Sequence, residues 1–221
     1  MMRADGEAVV PLRLLVVGTG AIGNALLPRI VRWNWERITL MDGDRVEDKN
    51  LERQELFAPV DIGKPKVEVV AAWLRNAPIN LRITATDAFI DAGNAERIIA
   101  MHDVVADCTD DAHVKGLIDR TCKDYGVALV SGSVHGKQAQ VIALHVEGEG
   151  EATTRADLFQ GKLGSEQDGC DMRGVPLVTI EETARRMAQL LRALVQGEPV
   201  RNGRIDLFDG KQWTAIDPPM P

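Results

Sequence analysis

The 221-residue sequence has few of the features that would assign it to a specialised class of protein. It contains three cysteines and no C-x-x-C spacing, which argues against a disulfide framework and against a structural zinc site built by this chain alone. A run of about 20 apolar residues is missing, which excludes a membrane-spanning helix, and no segment has signal-peptide form. A net charge of −7 gives no global attraction toward nucleic acid or anionic membrane. We therefore expect a reduced, cytoplasmic protein.

Strand-like and helix-like segments alternate in the N-terminal part of the chain. Hydrophobic residues make up 45% and charged residues 27% of the sequence, as in an ordinary globular protein, and the length allows one domain. Short apolar runs predict buried strands at 12–17, 37–41, 81–85, 103–106 and 127–130, and periodic segments predict helices at 21–33, 64–76, 92–101 and 112–125. This order predicts an α/β fold with a Rossmann-like, doubly wound, mainly parallel sheet.

The pattern changes toward the C-terminus. Residues 140–146 predict a further strand that completes a nucleotide-binding half, 1–146, whereas residues 147–175 are polar, Gly-rich and without a clear period. Such a segment predicts either a functional crossover loop or partial disorder. Residues 176–221 predict a long helix and a hairpin centred on Asp209-Gly210, which would form an antiparallel extension of the sheet. We expect a single domain, 1–221.

A glycine-rich turn between the first strand and the first helix predicts a nucleotide site. It contains Gly18, Gly20, Ala21 and Gly23. Glycines let the backbone approach a phosphate, and a helix N-terminus favours negative charge. Asp42 ends the second strand, where a carboxylate can accept hydrogen bonds from ribose hydroxyls. These features favour a nucleotide site over a structural turn, but NAD and ATP sites share them.

Charged and amide residues after the second strand distinguish between these two nucleotides. Asp44, Asn50 and Arg53 follow in close succession, Lys66 lies near the start of the next helix, and Asp110 follows the fourth strand. A dinucleotide oxidoreductase has no need for this combination, whereas a triphosphate does. Because the ligands of open α/β folds bind at the carboxyl edge of the sheet, we expect these side chains to gather there. A dehydrogenase is a remote alternative.

These motifs occur in a recognisable order: G-x-G-x-x-G, D-x-D-x-V, N-L-x-R-Q, D-I-G-K-P-K and D-C-T-D. In this order they resemble the ubiquitin-activating-like adenylyltransferases of ThiF, MoeB and HesA type. The resemblance implies an adenylation domain that uses ATP and Mg²⁺ to activate a carboxylate. It implies that this carboxylate is the C-terminal glycine of a small ubiquitin-like or sulfur-carrier protein, a β-grasp partner that ends in Gly-Gly. It also implies a homodimer or a partner subunit.

The resemblance assigns roles to individual residues. Beyond the phosphate loop, the implied ligands are Asp42 for the ribose, Asn50, Arg53 and Lys66 for the phosphates, and Asp110 with Asp44 for Mg²⁺. Arg53, Lys66 and Asp110 are also the implied catalytic residues. The chemistry asks for the same residue types, because charge builds on phosphate oxygens as a carboxylate attacks the α-phosphorus and pyrophosphate leaves. The alternatives are solvated surface cations at Arg53 and Lys66 and a turn cap at Asp44.

Cys170 is the remaining residue to which the resemblance gives a catalytic role. It lies in the irregular segment and matches the loop cysteine of the family, which implies a thioester with the activated carrier or a part in sulfur transfer. Either role needs a thiolate, and the adjacent carboxylates of Asp168 and Asp171 disfavour one, so a structural or incidental role is the alternative. Cys108 and Cys122 are predicted to be buried apolar residues.

The sequence departs from the family pattern in three respects. The first predicted strand begins at Leu12, so we do not expect the N-terminal helix that, in many relatives, sends an arginine into the ATP site of the partner subunit. Arg3 and Arg13 are weak substitutes for that arginine. The paired C-x-x-C motifs that bind zinc in many relatives are missing, and no rhodanese-like domain is expected after the core.

Two other functions compete with activation of a carrier protein. One is adenylation or dehydration of a small molecule or of a modified nucleoside in tRNA, although the net charge of −7 weighs against a tRNA substrate. The other is a non-catalytic nucleotide-binding scaffold that pairs with an active partner. Retention of Arg53, Lys66 and Asp110 argues against the scaffold, whereas the missing N-terminal arginine favours it.

Overall fold

A single sheet runs through the part of the molecule that the computed structural model describes, residues 10–77, 81–146, 153–159 and 174–216. Its strands are β1 (Leu12–Val17), β2 (Trp35–Met41), β3 (Arg82–Thr86), β4 (Val104–Asp107), β5 (Ala128–His135), β6 (Gln138–Leu144), β7 (Arg204–Phe208) and β8 (Trp213–Ile216). They lie in the order β3-β2-β1-β4-β5-β6-β7-β8. Neighbours from β3 to β5 pair in parallel, and β5 to β8 pair antiparallel. The predicted mainly parallel sheet with an antiparallel C-terminal extension is confirmed.

Helices cover both faces of this sheet. They are α1 (Ala21–Ile30), α2 (Lys66–Arg75), α3 (Ala95–Ile99), α4 (Ala112–Tyr125), α5 (Arg155–Leu158) and α6 (Leu177–Gln196). One hydrophobic cluster joins Val16 to α1, α2 and α6, and a second joins Leu15 to α3, α4 and α5. Because Leu15 and Val16 are successive residues of β1 and both are fully buried, the strand has no solvent-facing side. This burial is why β1 reads as a continuous apolar run.

The register of the parallel strands brings the nucleotide motifs to one edge. Val17, the last residue of β1, lies beside Met41 of β2 and beside Asp107 of β4. The residues that follow these strands therefore begin at the same carboxyl edge. Asp107 in turn lies beside Ser131, from which β5 continues to His135.

Some predicted boundaries differ from the observed ones. Helix α1 ends at Ile30 and not at 33, because the chain turns there to enter β2 at Trp35. Strand β5 extends to His135, beyond its predicted end at 130, because β6 pairs with it along its whole length. The short helix α5 was not predicted. The Thr154-x-x-Asp157 capping box that begins it is a signal by which the sequence could have shown it.

Within the described residues, no helix combines the length and the apolar character needed to cross a membrane. Of the segment 147–175, only residues 153–159 and 174–175 are described, so the prediction of a crossover loop stays a prediction.

Candidate active site

The turn after β1 is shaped by its glycines. Gly18 has a φ of +89°, and a Cβ atom there would lie 2.9 Å from the carbonyl oxygen of Cys108 and 3.2 Å from the nitrogen of Thr109. A Cβ at Gly23 would lie 2.2 Å from the oxygen of Gly18. By contrast, no described heavy atom lies within 4 Å of a Cβ built on Gly20, the N-cap of α1. The turn is therefore packed against the residues that follow β4 at Gly18, and it is open at Gly20.

Asp42 is buried and holds this turn against β2. Its Oδ2 accepts hydrogen bonds from the nitrogen of Thr19 at 2.7 Å and from the hydroxyl of Thr19 at 3.0 Å. Its Oδ1 accepts one from the nitrogen of Asp44 at 2.9 Å. A carboxylate has about four acceptor positions, so these three donors leave about one for a further donor. Asp42 thus has a structural role together with any role in binding a ribose.

Asp44 and Lys66 form an ion pair at the edge of the sheet. The Nζ atom of Lys66 lies 2.8 Å from Oδ2 of Asp44, and the two backbones are joined by a hydrogen bond of 2.9 Å from Lys66 nitrogen to Asp44 oxygen. The Lys66 side chain is 8% exposed, whereas that of Asp44 is 53% exposed. The lysine is therefore not a solvated surface cation.

Asn50 and Arg53 lie in the segment between β2 and α2 and are fixed by neighbours of their own. The Oδ1 atom of Asn50 accepts a hydrogen bond of 2.8 Å from the nitrogen of Glu47, which closes a capping box around a short 3₁₀ helix. The guanidinium of Arg53 donates to the carbonyl oxygen of Val175 at 2.9 Å. This contact ties the segment to the start of α6.

Asp110 is exposed between two residues that are held in place. On one side, Thr109 donates from its nitrogen and its hydroxyl to Oδ1 of Asp107, at 3.0 Å and 2.7 Å. On the other side, Asp111 caps α4 by accepting from the nitrogens of His113 and Val114. Among the described residues, no hydrogen-bond donor or cation contacts the carboxylate of Asp110.

Beneath Asp110 lies a buried ionic network that sequence reasoning missed. Asp107 is fully buried, and its Oδ2 accepts from Nζ of Lys115 at 3.0 Å and from the hydroxyl of Ser131 at 2.6 Å. Burial by itself raises the pKa of Asp107, but the Lys115 ammonium and the hydroxyl donors outweigh it and hold that pKa below its ordinary value. One indication of this network is present in the sequence: Lys115 lies three residues before Ile118 and seven before Cys122, and therefore on the apolar side of the predicted helix.

The described cysteines are not suited to nucleophilic chemistry. Cys108 and Cys122 are buried, as predicted, and burial raises the pKa of each thiol well above its ordinary value. Cys170, with Asp168 and Asp171, lies outside the described residues, so its role stays a prediction.

Arg13 does not lie at the candidate site. Its nitrogen and its guanidinium Nε donate to Oδ2 of Asp103 at 2.7 Å and 3.0 Å, near the amino ends of β1 and β4. This edge of the sheet is opposite to the phosphate loop, so Arg13 does not reach the nucleotide site of its own chain, and its guanidinium is already paired with Asp103. Arg3 lies outside the described residues.

The donor set suits a cation that arrives with a phosphate. No group of three or more His, Cys, Asp or Glu side chains in the described part of the chain could hold a metal by itself. Mg²⁺ on a nucleotide needs only one or two carboxylates, because phosphates and water complete its coordination. The exposed carboxylate of Asp110 fits this requirement better than that of Asp44, which accepts a hydrogen bond from Lys66.

A cavity of about 560 Å³ opens over the antiparallel strands at the same end of the sheet. Its walls come from β5 to β8 and include Ser133, His135, Gln138, Leu207 and Thr214. Ser133 lies two residues after Ser131, the neighbour of Asp107, and therefore on the same face of β5.

Comparison with known proteins shows the family to which this chain belongs. The chain matches the model of the ThiF family over residues 3–217. It is 30% identical over 208 residues to the molybdopterin-synthase adenylyltransferase of Escherichia coli (strain K12), covering 93% of this chain and 82% of that protein. It is 27% identical over 217 residues to the sulfur carrier protein ThiS adenylyltransferase of the same organism, covering 96% and 84%.

Solved structures agree with this fold. E. coli MccB superposes with a TM-score of 0.77 at 18% identity, covering 93% of this chain and 62% of that chain. MccB with ATP gives a TM-score of 0.75 at 18% identity, covering 93% and 63%. At this identity the likeness establishes the fold alone, and the chain spans less than two thirds of the MccB chain.

The relatives that this chain matches over most of its length are adenylyltransferases. The chain belongs to the ThiF family. The resemblance drawn from the ordered motifs is therefore confirmed.

Proposed function

We propose that this chain uses ATP and Mg²⁺ to adenylate the C-terminal glycine of a small ubiquitin-like or sulfur-carrier protein. Support for the carrier comes from the relatives, one of which is named for a sulfur carrier protein. The observation that carries the nucleotide half of the proposal is the nearly buried ammonium of Lys66, which Asp44 holds at the same carboxyl edge of the sheet as the open glycine turn. A triphosphate has more negative charge for such a cation to neutralise than the diphosphate of NAD has.

The reaction needs charge stabilisation more than proton transfer. An oxygen of the substrate carboxylate bonds to the α-phosphorus while the bond from that phosphorus to the bridging oxygen breaks, which gives an acyl-adenylate and pyrophosphate. No proton is gained or lost by the reacting groups, so the protein needs to supply position and positive charge. Lys66 supplies a point charge, and Arg53 supplies a planar fork suited to phosphate oxygens.

The remaining site residues would orient the nucleotide. The phosphates would approach the open side of the turn at Gly20 and Ala21, where the backbone nitrogens of α1 are uncapped by a side chain. The free acceptor position of Asp42 would bind one ribose hydroxyl. Asn50 would reach the phosphates through its amide, and Asp110, with Asp44 as a second predicted ligand, would hold Mg²⁺. The ion would neutralise charge on the phosphates and on the departing pyrophosphate.

Later steps and partners extend the proposal. Cys170 would accept the activated carrier or take part in sulfur transfer after adenylation. A homodimer or a partner subunit would complete the site, and the cavity beside Ser133 would receive the extended end of the carrier. We place the enzyme in the cytoplasm because its substrate ATP is abundant there.

Exchange of label between pyrophosphate and ATP tests the proposal, because it requires reversible adenylate formation. The expected result is exchange that appears only when a carrier ending in Gly-Gly is added, and not with the same carrier lacking its last glycine. Exchange with a small carboxylate instead would replace the carrier by a small-molecule substrate. Tight ATP binding without exchange on any carboxylate would favour the non-catalytic scaffold.

A matched pair of variants tests the site. Asp110→Asn removes the exposed carboxylate and should abolish exchange. Asp111→Asn makes the same chemical change one residue on and should leave exchange intact, because asparagine caps a helix as well as aspartate does. Exchange at the wild-type rate by both variants would contradict the assignment of Asp110 to the site.

A further inference from the structure

A buried ion pair behind the candidate site has no part in the reaction as proposed. Asp107 is fully buried and accepts four hydrogen bonds: two from Thr109, one from Lys115 and one from Ser131. Lys115 is only 4% exposed. Its Nζ also donates to the carbonyl oxygen of Gly132 at 2.8 Å. The ammonium therefore joins β4, β5 and α4 at the carboxyl edge of the sheet.

Burying this pair is not a general way to stabilise a fold. Two charges removed from water lose much of their solvation, and an apolar pair of the same volume is often as stable. The half-buried guanidinium of Arg155 adds a further cation in the electrostatic field of Asp107. So much buried charge at one place is better explained by geometry that the site requires than by stability.

The geometry in question is the position of Asp110. Asp107 holds Thr109 through both of its donors, and Asp111 is held by its cap on α4, so the backbone on each side of Asp110 is fixed. Thr109 also packs against the phosphate loop, since a Cβ on Gly18 would lie 3.2 Å from its nitrogen. A shift of Asp107 would therefore move Asp110 relative to the glycine turn.

We propose that Lys115 is a positioning residue, which acts through Asp107 and Thr109 to set where Asp110 presents its carboxylate to the magnesium ion on ATP. This inference rests on the proposed function, because it takes Asp110 as the carboxylate that faces the ion. Residues that orient metal ligands from behind typically change metal affinity or activity by about 10- to 100-fold when they are replaced.

The test measures ATP binding by titration calorimetry, once with Mg²⁺ and once with EDTA, and compares the gain in affinity that magnesium provides. The main variant is the double substitution Asp107→Asn with Lys115→Met, which removes both charges and leaves no unpaired ion in the core. Lys115→Arg keeps a cation and its donors. Lys123→Met, on an exposed position of the same helix, is the matched control.

In the double variant, the ratio of ATP affinity with Mg²⁺ to ATP affinity with EDTA should fall by about 10-fold or more. Its ATP affinity in EDTA should stay at the wild-type value. Lys115→Arg, as a single substitution, should keep part of the affinity that Mg²⁺ adds, and Lys123→Met should behave as wild type. A merely structural role predicts instead that both affinities fall together, and that result would overturn the inference. So would a double variant with the wild-type gain, or a wild-type protein that binds ATP equally with and without Mg²⁺. If the wild type binds no ATP at all, the proposed function itself fails and the inference falls with it.

Discussion

Two glycines of the phosphate loop should respond to the same substitution in opposite ways. Gly23→Ala places a methyl group 2.2 Å from the carbonyl oxygen of Gly18, a backbone atom that cannot move without distorting the turn. Gly20→Ala places a methyl group where no described atom lies within 4 Å, on the side open to solvent. The methyl group at residue 23 therefore clashes with the protein itself, whereas the methyl group at residue 20 would contact only a molecule bound at the turn.

The magnitudes follow from these contacts. Overpacking against a rigid neighbour costs about 3 kcal/mol at the upper end of its usual range, which lowers Tm by about 6–12 °C in a chain of this size. Alanine as N-cap of α1 in place of glycine costs about 0.5 kcal/mol, or about 1–2 °C. If contact with the methyl group on residue 20 weakens the binding free energy of the phosphate by about 1.4–2.8 kcal/mol, ATP affinity falls about 10- to 100-fold.

The assay pairs thermal unfolding with ATP binding on the same preparations. Gly23→Ala should have the low Tm, whereas Gly20→Ala should keep the wild-type Tm within about 2 °C and lose affinity for ATP. The reasoning is refuted if Gly20→Ala binds ATP as the wild type does, because the open side of the turn would then not face the nucleotide. It is also refuted if the two variants lose the same stability.

Three further predictions concern single side chains. Lys66→Met should lower pyrophosphate exchange by about 100-fold or more, as loss of one fixed donor to a developing charge does, whereas Lys64→Met, at an exposed ion pair, should leave exchange unchanged. Cys170→Ala should leave exchange at the wild-type rate and reduce only transfer from the adenylate, and a loss of exchange would contradict the transfer role. Burial lowers the pKa of His102 below its ordinary value of 6.5, so the unfolded chain binds this proton first and the free energy of unfolding should fall as the pH drops below 6.5. His102→Gln should flatten that part of the curve in urea unfolding at several pH values, and a wild-type slope in the variant would rule out His102 as its cause.

Much of the fold could be read from local patterns. Strand β1 and helix α4 have their predicted bounds, because a continuous apolar run and a capped amphipathic segment are complete signals in themselves. Helix α1 and strand β5 differ at their ends, where the turn into β2 and the pairing with β6 decide the boundary. Local patterns are weakest at such ends, since the neighbouring element determines them.

The candidate site divides in the same way. The glycine turn and the acid after β2 could be predicted from residue type and spacing. The pairing of Asp44 with Lys66 and the support of Thr109 by Asp107 could not, because each requires knowing which side chains meet in space. Arg13 shows the reverse case, since only the strand direction reveals that it lies at the opposite edge of the sheet.

The sequence by itself therefore determined the order of elements, the kind of nucleotide site and the family, because periodicity and ordered motifs are properties of neighbouring residues. Only the tertiary structure decided which charges are buried and with what partners. Lys115 looks in the sequence like one more helical lysine, and it becomes the centre of a network only when α4 packs over β4 and β5. Burial and strand register, which set its environment, arise from contacts between residues far apart in the chain.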